Sequence, residues 1–496
     1  MKARLRSQPL ILAAIIVAYL VVAVQYARLT PPWQAPDEPA HFNYVKYVAE
    51  HGSLPVLQDG DFPAGYLAQF TNPRNTPHMD IAPIRYESWQ PPLYYLLGAV
   101  VYRAAPADGQ LLALRLFSVA LGALLIWVAH QAVVALAPER RWLALSTAAF
   151  VAAVPMHVAT TAAVTNDTLA ELWVALVLWQ AFALLRSPER GWRPWLWLGV
   201  TLGLAGLTKL NTAIALPLAL ATLAWLAWRR TTPSQRGRYL LARLAALCLP
   251  AALLLLPWLA RNVAVYGIGD PLASQRHAYV VREQLRTATR VAEVGWHRVA
   301  SEFLLTSFAS FWGQFGWMGV PVDGRIYRGL ALLCGLAGLG LAWRLRTLRA
   351  DWHALPEEQR VGLALLALLA ILSGASLVAY NLTFVQYQGR YLFPALVPAG
   401  VFLSIGWRQV TRRARRPMVA GLLAALALLA AARTALRAGP WDRWTLAGLA
   451  ASSAAFAAST WLPEQWSGWL YAAPYPLLLG LDFLCLHAFI LPALLP

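Results

Sequence analysis

The chain has 496 residues, 59% of them hydrophobic and 13% charged, with a mean hydropathy of +0.51. A soluble protein carries about 25% charged residues, so one soluble core is excluded and a membrane is the solvent for most of this chain. The formal net charge is +18, but the arginines sit in short clusters between apolar runs rather than on one basic face. That pattern excludes a nucleic-acid partner and marks charges that set membrane topology.

The basic N-terminus, Met1 to Gln8, precedes the apolar run Pro9–Val24. A signal peptide is one reading of it. The length of the run and its lack of a small-residue cleavage site favour a retained first helix. Runs long enough to cross a bilayer predict helices over 9–28, 111–136, 142–162, 167–185, 194–208, 211–228, 240–260, 327–343, 361–380, 391–409, 417–436, 443–461 and 470–494. The fifth and sixth are short and share one apolar stretch, so the expectation is 11–13 transmembrane helices in an all-α polytopic fold. Cys248, Cys334 and Cys485 lie inside apolar stretches, and no disulfide framework is expected.

With Lys2, Arg4 and Arg6 before the first helix, the N-terminus is expected in the cytoplasm. Alternation then puts Arg140/Arg141, Arg186/Arg190/Arg193, Arg229/Arg230/Arg236/Arg238, Arg344/Arg346/Arg349 and Arg408/Arg412/Arg413/Arg415/Arg416 on that same side, as the positive-inside rule requires. Two long segments fall outside: an acidic loop over 30–110, with Asp37, Glu38, Glu50, Asp59, Asp61, Asp80 and Glu87, and a second loop over 263–325. Loops this long in a compact membrane domain are usually functional. No internal repeat, low-complexity tract or terminal soluble domain is visible. The expected location is the plasma (inner) membrane, with the polar, chemically capable face extracytoplasmic.

The first loop has structure of its own. Ala35 to Gly52 reads as a capped helix, with Asp37 at the N-cap, Pro39 in the first turn and Gly52 at the stop. Phe42, Val45, Val48 and Ala49 share a face, which suits an interfacial helix. A second such helix is predicted from Pro91-Pro92-Leu93 to about Arg103.

Asp37-Glu38 carries the strongest local signal. Adjacent carboxylates at the mouth of a membrane domain suit a general base for a hydroxyl substrate; a cap with a dipole-favoured acid is the competing reading. Asn166-Asp167 opens the fourth helix on the same side, again as a cap or as a site residue. Lys209, in Thr208-Lys209, interrupts an apolar stretch, where an ionisable residue is a functional candidate; it is either a phosphate ligand or a snorkelling lysine. Arg261-Asn262 and Arg390 both stand outside, against the positive-inside trend. One lysine and two arginines on one face suit a phosphate or pyrophosphate. Asp59-Gly60-Asp61 is read as a turn rather than a metal motif. Glu38 and His41 have metal-ligand spacing, but one pair makes no site. No phosphate-binding glycine loop, hydrolase triad or Rossmann unit is present.

Taken in order, Asp37-Glu38, Gln90-Pro-Pro-Leu-Tyr-Tyr95, Asn166-Asp-Thr168, Gly206-Leu-Thr-Lys209, Arg261-Asn262 with Tyr266-Gly267, and Gln388-Gly-Arg-Tyr-Leu-Phe-Pro394 resemble the motifs of the GT-C superfamily of membrane glycosyltransferases. The nearest likeness is to the protein O-mannosyltransferase-like branch (family 39-like) and to the aminoarabinose transferases that modify lipid A. The resemblance covers about 30–400. It implies a catalytic membrane module over 1–410, with helices of no assigned role over 411–496. It implies inverting transfer, without metal or other cofactor, from a polyprenyl-phosphate sugar to a hydroxyl of a lipid, protein or polysaccharide. Asp37 would be the base, Glu38 its neighbour or a substrate contact, and Asp167 a second acidic residue. Lys209, Arg261 and Arg390 would hold the leaving phosphate. His41, Gln90, Tyr94, Asn166, Tyr266 and Tyr391 would touch substrate. The chain departs from some relatives at Gln90, where they have Lys or His, and unlike oligosaccharyltransferases it shows no soluble C-terminal domain.

The chemistry agrees. Outside the cytoplasm there are no nucleotide sugars, so an activated sugar arrives on a lipid, and transfer from a lipid phosphate needs a base and cations. A transporter or flippase, or a polymerase or ligase, of lipid-linked saccharides stays open as an alternative.

Overall fold

No water reaches a backbone inside a bilayer, so each apolar run must satisfy its own N–H and C=O groups, and helices do this. The computed structural model describes residues 2–186, 191–436, 442–463 and 466–495. Its helices are α1 (Lys2–Leu29), α2 (Glu38–His51), α3 (Ala64–Phe70), α4 (Leu93–Ala104), α5 (Gln110–Leu136), α6 (Arg141–Ala152), α7 (Pro155–Thr161), α8 (Asp167–Arg186), α9 (Arg193–Gly206), α10 (Leu216–Arg230), α11 (Pro233–Tyr266), α12 (Ser274–Val280), α13 (Thr287–Val294), α14 (Trp296–Trp312), α15 (Gly324–Asp351), α16 (Glu357–Asn381), α17 (Leu396–Val410), α18 (Arg416–Leu436), α19 (Arg443–Ser459), α20 (Ser467–Ala472), α21 (Pro474–Leu484) and α22 (Leu491–Leu494). Among the described residues the fold is all-α apart from one hairpin of two-residue strands, Gln314–Phe315 paired with Val320–Pro321, and an isolated bridge between Arg286 and Phe384.

Among the described residues, ten helices are long and apolar enough to cross a membrane, or eleven if one bent pair counts as a span. The chain is a multi-pass integral membrane protein. The expected range of 11–13 meets this count at eleven, and two features keep it from going higher. The predicted spans 194–208 and 443–461 form helices of only 14 and 17 residues. The predicted span 142–162 breaks between α6 and α7, which meet at 67°; Pro155 has no N–H to continue the first helix and starts the second instead.

The core is formed by α5 and α8, with α1, α6 and α17 around them. Helix α17 lies against α15 at a near-contact of backbones. A Cβ at Gly406 would stand 1.9 Å from the Ala337 carbonyl oxygen, so small residues let the two helices approach.

The arginine-rich connections gather at one end. Gln359 donates to Glu139 at 2.7 Å, Arg229 pairs with Glu357 at 2.8 Å, and the Arg408 guanidinium lies 3.9 Å from the centre of the Trp142 ring. Arg190 and the side chains of Lys2, Arg4, Arg6 and Arg349 lie outside what is described. The long segments gather at the other end. There α2 buries Phe42, Val45, Val48 and Ala49, the face anticipated from sequence, and packs on α4, where Gly98 makes room for Val45. Gly52 ends α2 in the left-handed conformation, its N–H donating to the Val48 carbonyl.

Candidate functional site

At the loop-rich end a cavity of about 550 Å³ is bounded by the first loop, the start of α2, the turn between α9 and α10, α12, the hairpin, and the segment before α17. The residues that line it come from all along the chain, so what holds each of them there matters.

Asp37 sits just before α2 with φ +67° and ψ −8°, and its side chain makes no capping bond. Its oxygens turn to the cavity instead: Oδ1 accepts from the Tyr86 hydroxyl at 2.7 Å, and Oδ2 accepts from Arg390. The cap reading of Asp37 is therefore replaced by an ion pair.

Arg390 is held by the residue before it. A Cβ at Gly389 would fall 2.2 Å from the Ser307 carbonyl oxygen and 2.3 Å from the Phe311 nitrogen. Only glycine lets this segment press on α14, where its N–H donates to Ser310 Oγ at 2.7 Å. Arg390 Nε then donates to Gln388 at 2.7 Å.

Lys209 follows the last turn of α9, with extended backbone. Its ammonium donates to Asp167 Oδ1, and Asp167 Oδ2 lies 4.0 Å from Arg390 Nη1. The polar groups thus run in one file: Tyr86, Asp37, Arg390, Asp167, Lys209. Charges alternate along it and cancel. Asp37 and Lys209 are partly covered, at 24% and 16% exposure, while Arg390 and Tyr86 are buried.

Asn166 is the joint of the site rather than part of its lining. It is fully buried, and its amide donates to the Thr208 carbonyl at 3.1 Å and to Gln90 Oε1 at 3.4 Å. The Leu93 N–H donates to the Leu207 carbonyl at 2.8 Å. Three motifs far apart in sequence are pinned together this way. Gln90 lines the cavity, as do His41 and Tyr391. His41 bonds Tyr95 at 2.8 Å. Burial above all, with Lys209 and Arg390 adding to it and Asp37 and Asp167 opposing, lowers its imidazole to about 4, so it is neutral near pH 7.

Other expected site residues point elsewhere. Glu38 is fully buried against Arg115, at 2.6 Å, and also accepts from the Val164 and Trp33 N–H groups. It does not reach the cavity, because its bonding capacity is spent behind it. Arg261 turns to the first loop and donates to the carbonyls of Leu54 at 3.3 Å and Pro55 at 2.5 Å. Tyr266 accepts from the Leu57 N–H at 2.9 Å. Both anchor the loop and neither lines the cavity. Tyr94 is buried against Ser118 at 2.9 Å. Asp59 and Asp61 are taken by Arg282 and Arg85, as suits a turn.

Glu87 was not singled out from sequence beyond its place among the acids of the first loop. It lines the cavity and accepts from the Gln90 amide at 2.8 Å. The available signal was its position three residues before Gln90 in the Pro-Pro-Leu-Tyr segment. Tyr86, Trp89 and His277 were missed too. The last two stack at 4.3 Å and, with Tyr86, Phe62 and Trp317, give the cavity an aromatic wall.

Comparison with solved structures finds likenesses at low identity. ArnT from Cupriavidus metallidurans bound to undecaprenyl phosphate is 16% identical over 98% of this chain and 73% of that one, with a TM-score of 0.46. The apo oligosaccharyltransferase of Archaeoglobus fulgidus is 13% identical over 92% of this chain, with a TM-score of 0.47. The S. cerevisiae protein O-mannosyltransferase Pmt1–Pmt2 complex bound to the sugar donor is 19% identical over 51% of this chain, with a TM-score of 0.35. The chain spans 57% of the oligosaccharyltransferase and 34% of the mannosyltransferase chain. No curated protein matches it. Residues 72–398, which include most of the cavity-lining segments, match the family described as "Predicted membrane protein (DUF2142)", and the chain belongs to that family.

Proposed function

We propose that this protein is a glycosyltransferase that moves a sugar from a polyprenyl-phosphate carrier to a hydroxyl acceptor, on the membrane face opposite its arginine-rich loops. The observation that carries this reading is the pair Lys209 and Arg390. Both cations reach one partly enclosed cavity at a membrane-protein surface, and each is held there by a carboxylate of its own, Asp167 and Asp37. Cations neutralised in this way are preorganised, and the carboxylates offset part of the cost of desolvating them until an anion arrives. A phosphate oxygen entering between them exchanges one carboxylate partner for another anion.

The rest of the cavity suits a sugar. Gln90, Asn211, Gln386 and Gln388 supply uncharged hydrogen-bonding groups, and the aromatic wall supplies flat apolar faces. The sugar's bond to phosphate breaks as the acceptor oxygen attacks, charge develops on the phosphate, and Lys209 and Arg390 stabilise it. The motifs of the first loop, of α8 and of the Gln388–Pro394 segment support the same reading through their resemblance to GT-C enzymes. The arginine clusters at the opposite end agree with an extracytoplasmic site.

The test is release of polyprenyl phosphate from polyprenyl-phosphate-linked radiolabelled hexoses and pentoses by the full chain in lipid nanodiscs, with an extract of the producing membrane as acceptor. Arg390→Ala is expected to bind polyprenyl phosphate about 10–100-fold more weakly, the scale of a charged hydrogen bond of about 1.5–3 kcal/mol. Movement of the intact donor across the bilayer with no transfer product would replace this reading with transport.

A further inference from the structure

Two carboxylates of the first loop line the cavity, and their oxygens are used differently. Asp37 has both engaged, one by Tyr86 and one by Arg390. Burial works to raise its carboxyl, but the charge of Arg390 first, then His41 and the bonds from Arg390 and Tyr86, outweigh that and hold it below the usual range. A carboxylate so well satisfied is a weak base. Glu87 is less engaged: Oε2 accepts from the Gln90 amide, the single side-chain hydrogen bond to this carboxylate among the described residues.

We propose that Glu87 is the group that takes the proton from the acceptor hydroxyl, and that Asp37 is a positioning residue that holds Arg390 for the phosphate. This rests on the glycosyltransferase reading above. In the step, the acceptor oxygen bonds to the anomeric carbon as the bond from that carbon to the phosphate oxygen breaks. The electron pair stays on the phosphate, beside Lys209 and Arg390. The acceptor proton passes to Glu87 and leaves to water after the product departs.

The surroundings of Glu87 fit the role. It is faced by Asp37 just before α2, Tyr95 from α4, Asp167 from α8, Lys209, Tyr380 from α16 and Tyr391 before α17, with Tyr86 beside it and with His41 and Arg390 lining the same cavity. Burial raises its carboxyl most. The negative charges of Asp37 and Asp167 add to this, Lys209 and the Gln90 amide oppose it, and the outcome is about 7. A base near the working pH is the efficient one. Only the ionised form accepts a proton, so transfer rises with pH up to about 7 and levels off above it.

The experiment follows kcat/KM for polyprenyl phosphate release against pH, with the donors and membrane extract named above. In Glu87→Gln the rate is expected to fall by about 10²–10⁴-fold and to lose the rise below neutrality. Binding of undecaprenyl phosphate, read by thermal shift, should stay at the wild-type value and so show a folded site. Glu87→Asp is expected to restore part of the rate together with the pH dependence. A Glu87→Gln variant within about threefold of wild type, or one that keeps the same acid limb at any rate, overturns the assignment. If the wild-type chain releases no polyprenyl phosphate from any of these donors, the functional reading falls and takes this one with it.

Discussion

Asp37 and Glu38 are neighbours in the chain, both acidic, and each paired with an arginine, yet they serve different regions of the molecule. Glu38 is closed in. Arg115 grips both its oxygens, at 2.8 and 2.6 Å, and the same guanidinium reaches the carbonyls of Ala27, Thr30 and Pro31. With the Val164 N–H also bonded to Glu38, this one pair ties together the end of α1, the start of α2, α5 and the segment before α8. The cavity file is open. Its four ions pair with one another along a wall where Asp37, Asp167 and Lys209 keep some exposure, and Gln388, Tyr86 and the Tyr391 ring support them from the side. An ion pair with every partner supplied by the protein fixes geometry. One with an accessible face can exchange partners, and exchange is what binding an anion requires.

The sharpest way to break that comparison is Glu38→Ala, which leaves Arg115 charged and buried without its carboxylate. The expected cost is about 3–5 kcal/mol, seen as a lowered thermal midpoint and a reduced yield of folded protein. A variant with the wild-type midpoint would mean that the two pairs do not differ in kind. Asp37→Asn should behave in the opposite way, with its midpoint close to wild type. Arg390, no longer held in place by its carboxylate, should bind undecaprenyl phosphate about three- to tenfold more weakly, a change of order 1 kcal/mol; tighter binding would show that Asp37 competes with the anion rather than positions its ligand. Arg261→Ala should change least. Undecaprenyl phosphate affinity should stay within about twofold of wild type while stability falls by about 1–3 kcal/mol as two carbonyl bonds to the first loop are lost. A large loss of affinity on titration would return Arg261 to the site.

How much of this was legible in the sequence depends on what each residue needs in order to be read. Asp37, Asp167, Lys209 and Arg390 stand beside the ends of apolar runs. Charge placement sorted those ends into two sets, and the structure brings these four together. Arg261 met the same criterion and still left the group, because a long side chain at a helix end can swing several ångströms, and nothing local predicts that the Leu54 and Pro55 carbonyls will capture it. Glu38 could not be told from Asp37 by type or position. The left-handed backbone at Asp37 sends the two side chains in different directions. Glu87 lies in irregular chain with no periodicity to orient it, so its place on the wall appears only once Asn166 and Leu93 have pinned the segment. The helix count fell at the low end of its expected range because two runs made short helices and Pro155 turned one run into a bent pair.

The left-handed turn at Asp37 has an evolutionary consequence. Trp33, Trp317 and Met318, in the same neighbourhood, share that sign of φ. Residues with a Cβ hold such conformations at a cost of order 1 kcal/mol each, and glycine would hold them at almost none. A lineage selected for thermal endurance alone would therefore drift toward glycine at position 37. A lineage in which aspartate persists there is declining a stabilising substitution that is always a single base change away, and the persistence of that choice across relatives would measure how strongly the carboxylate itself is under selection.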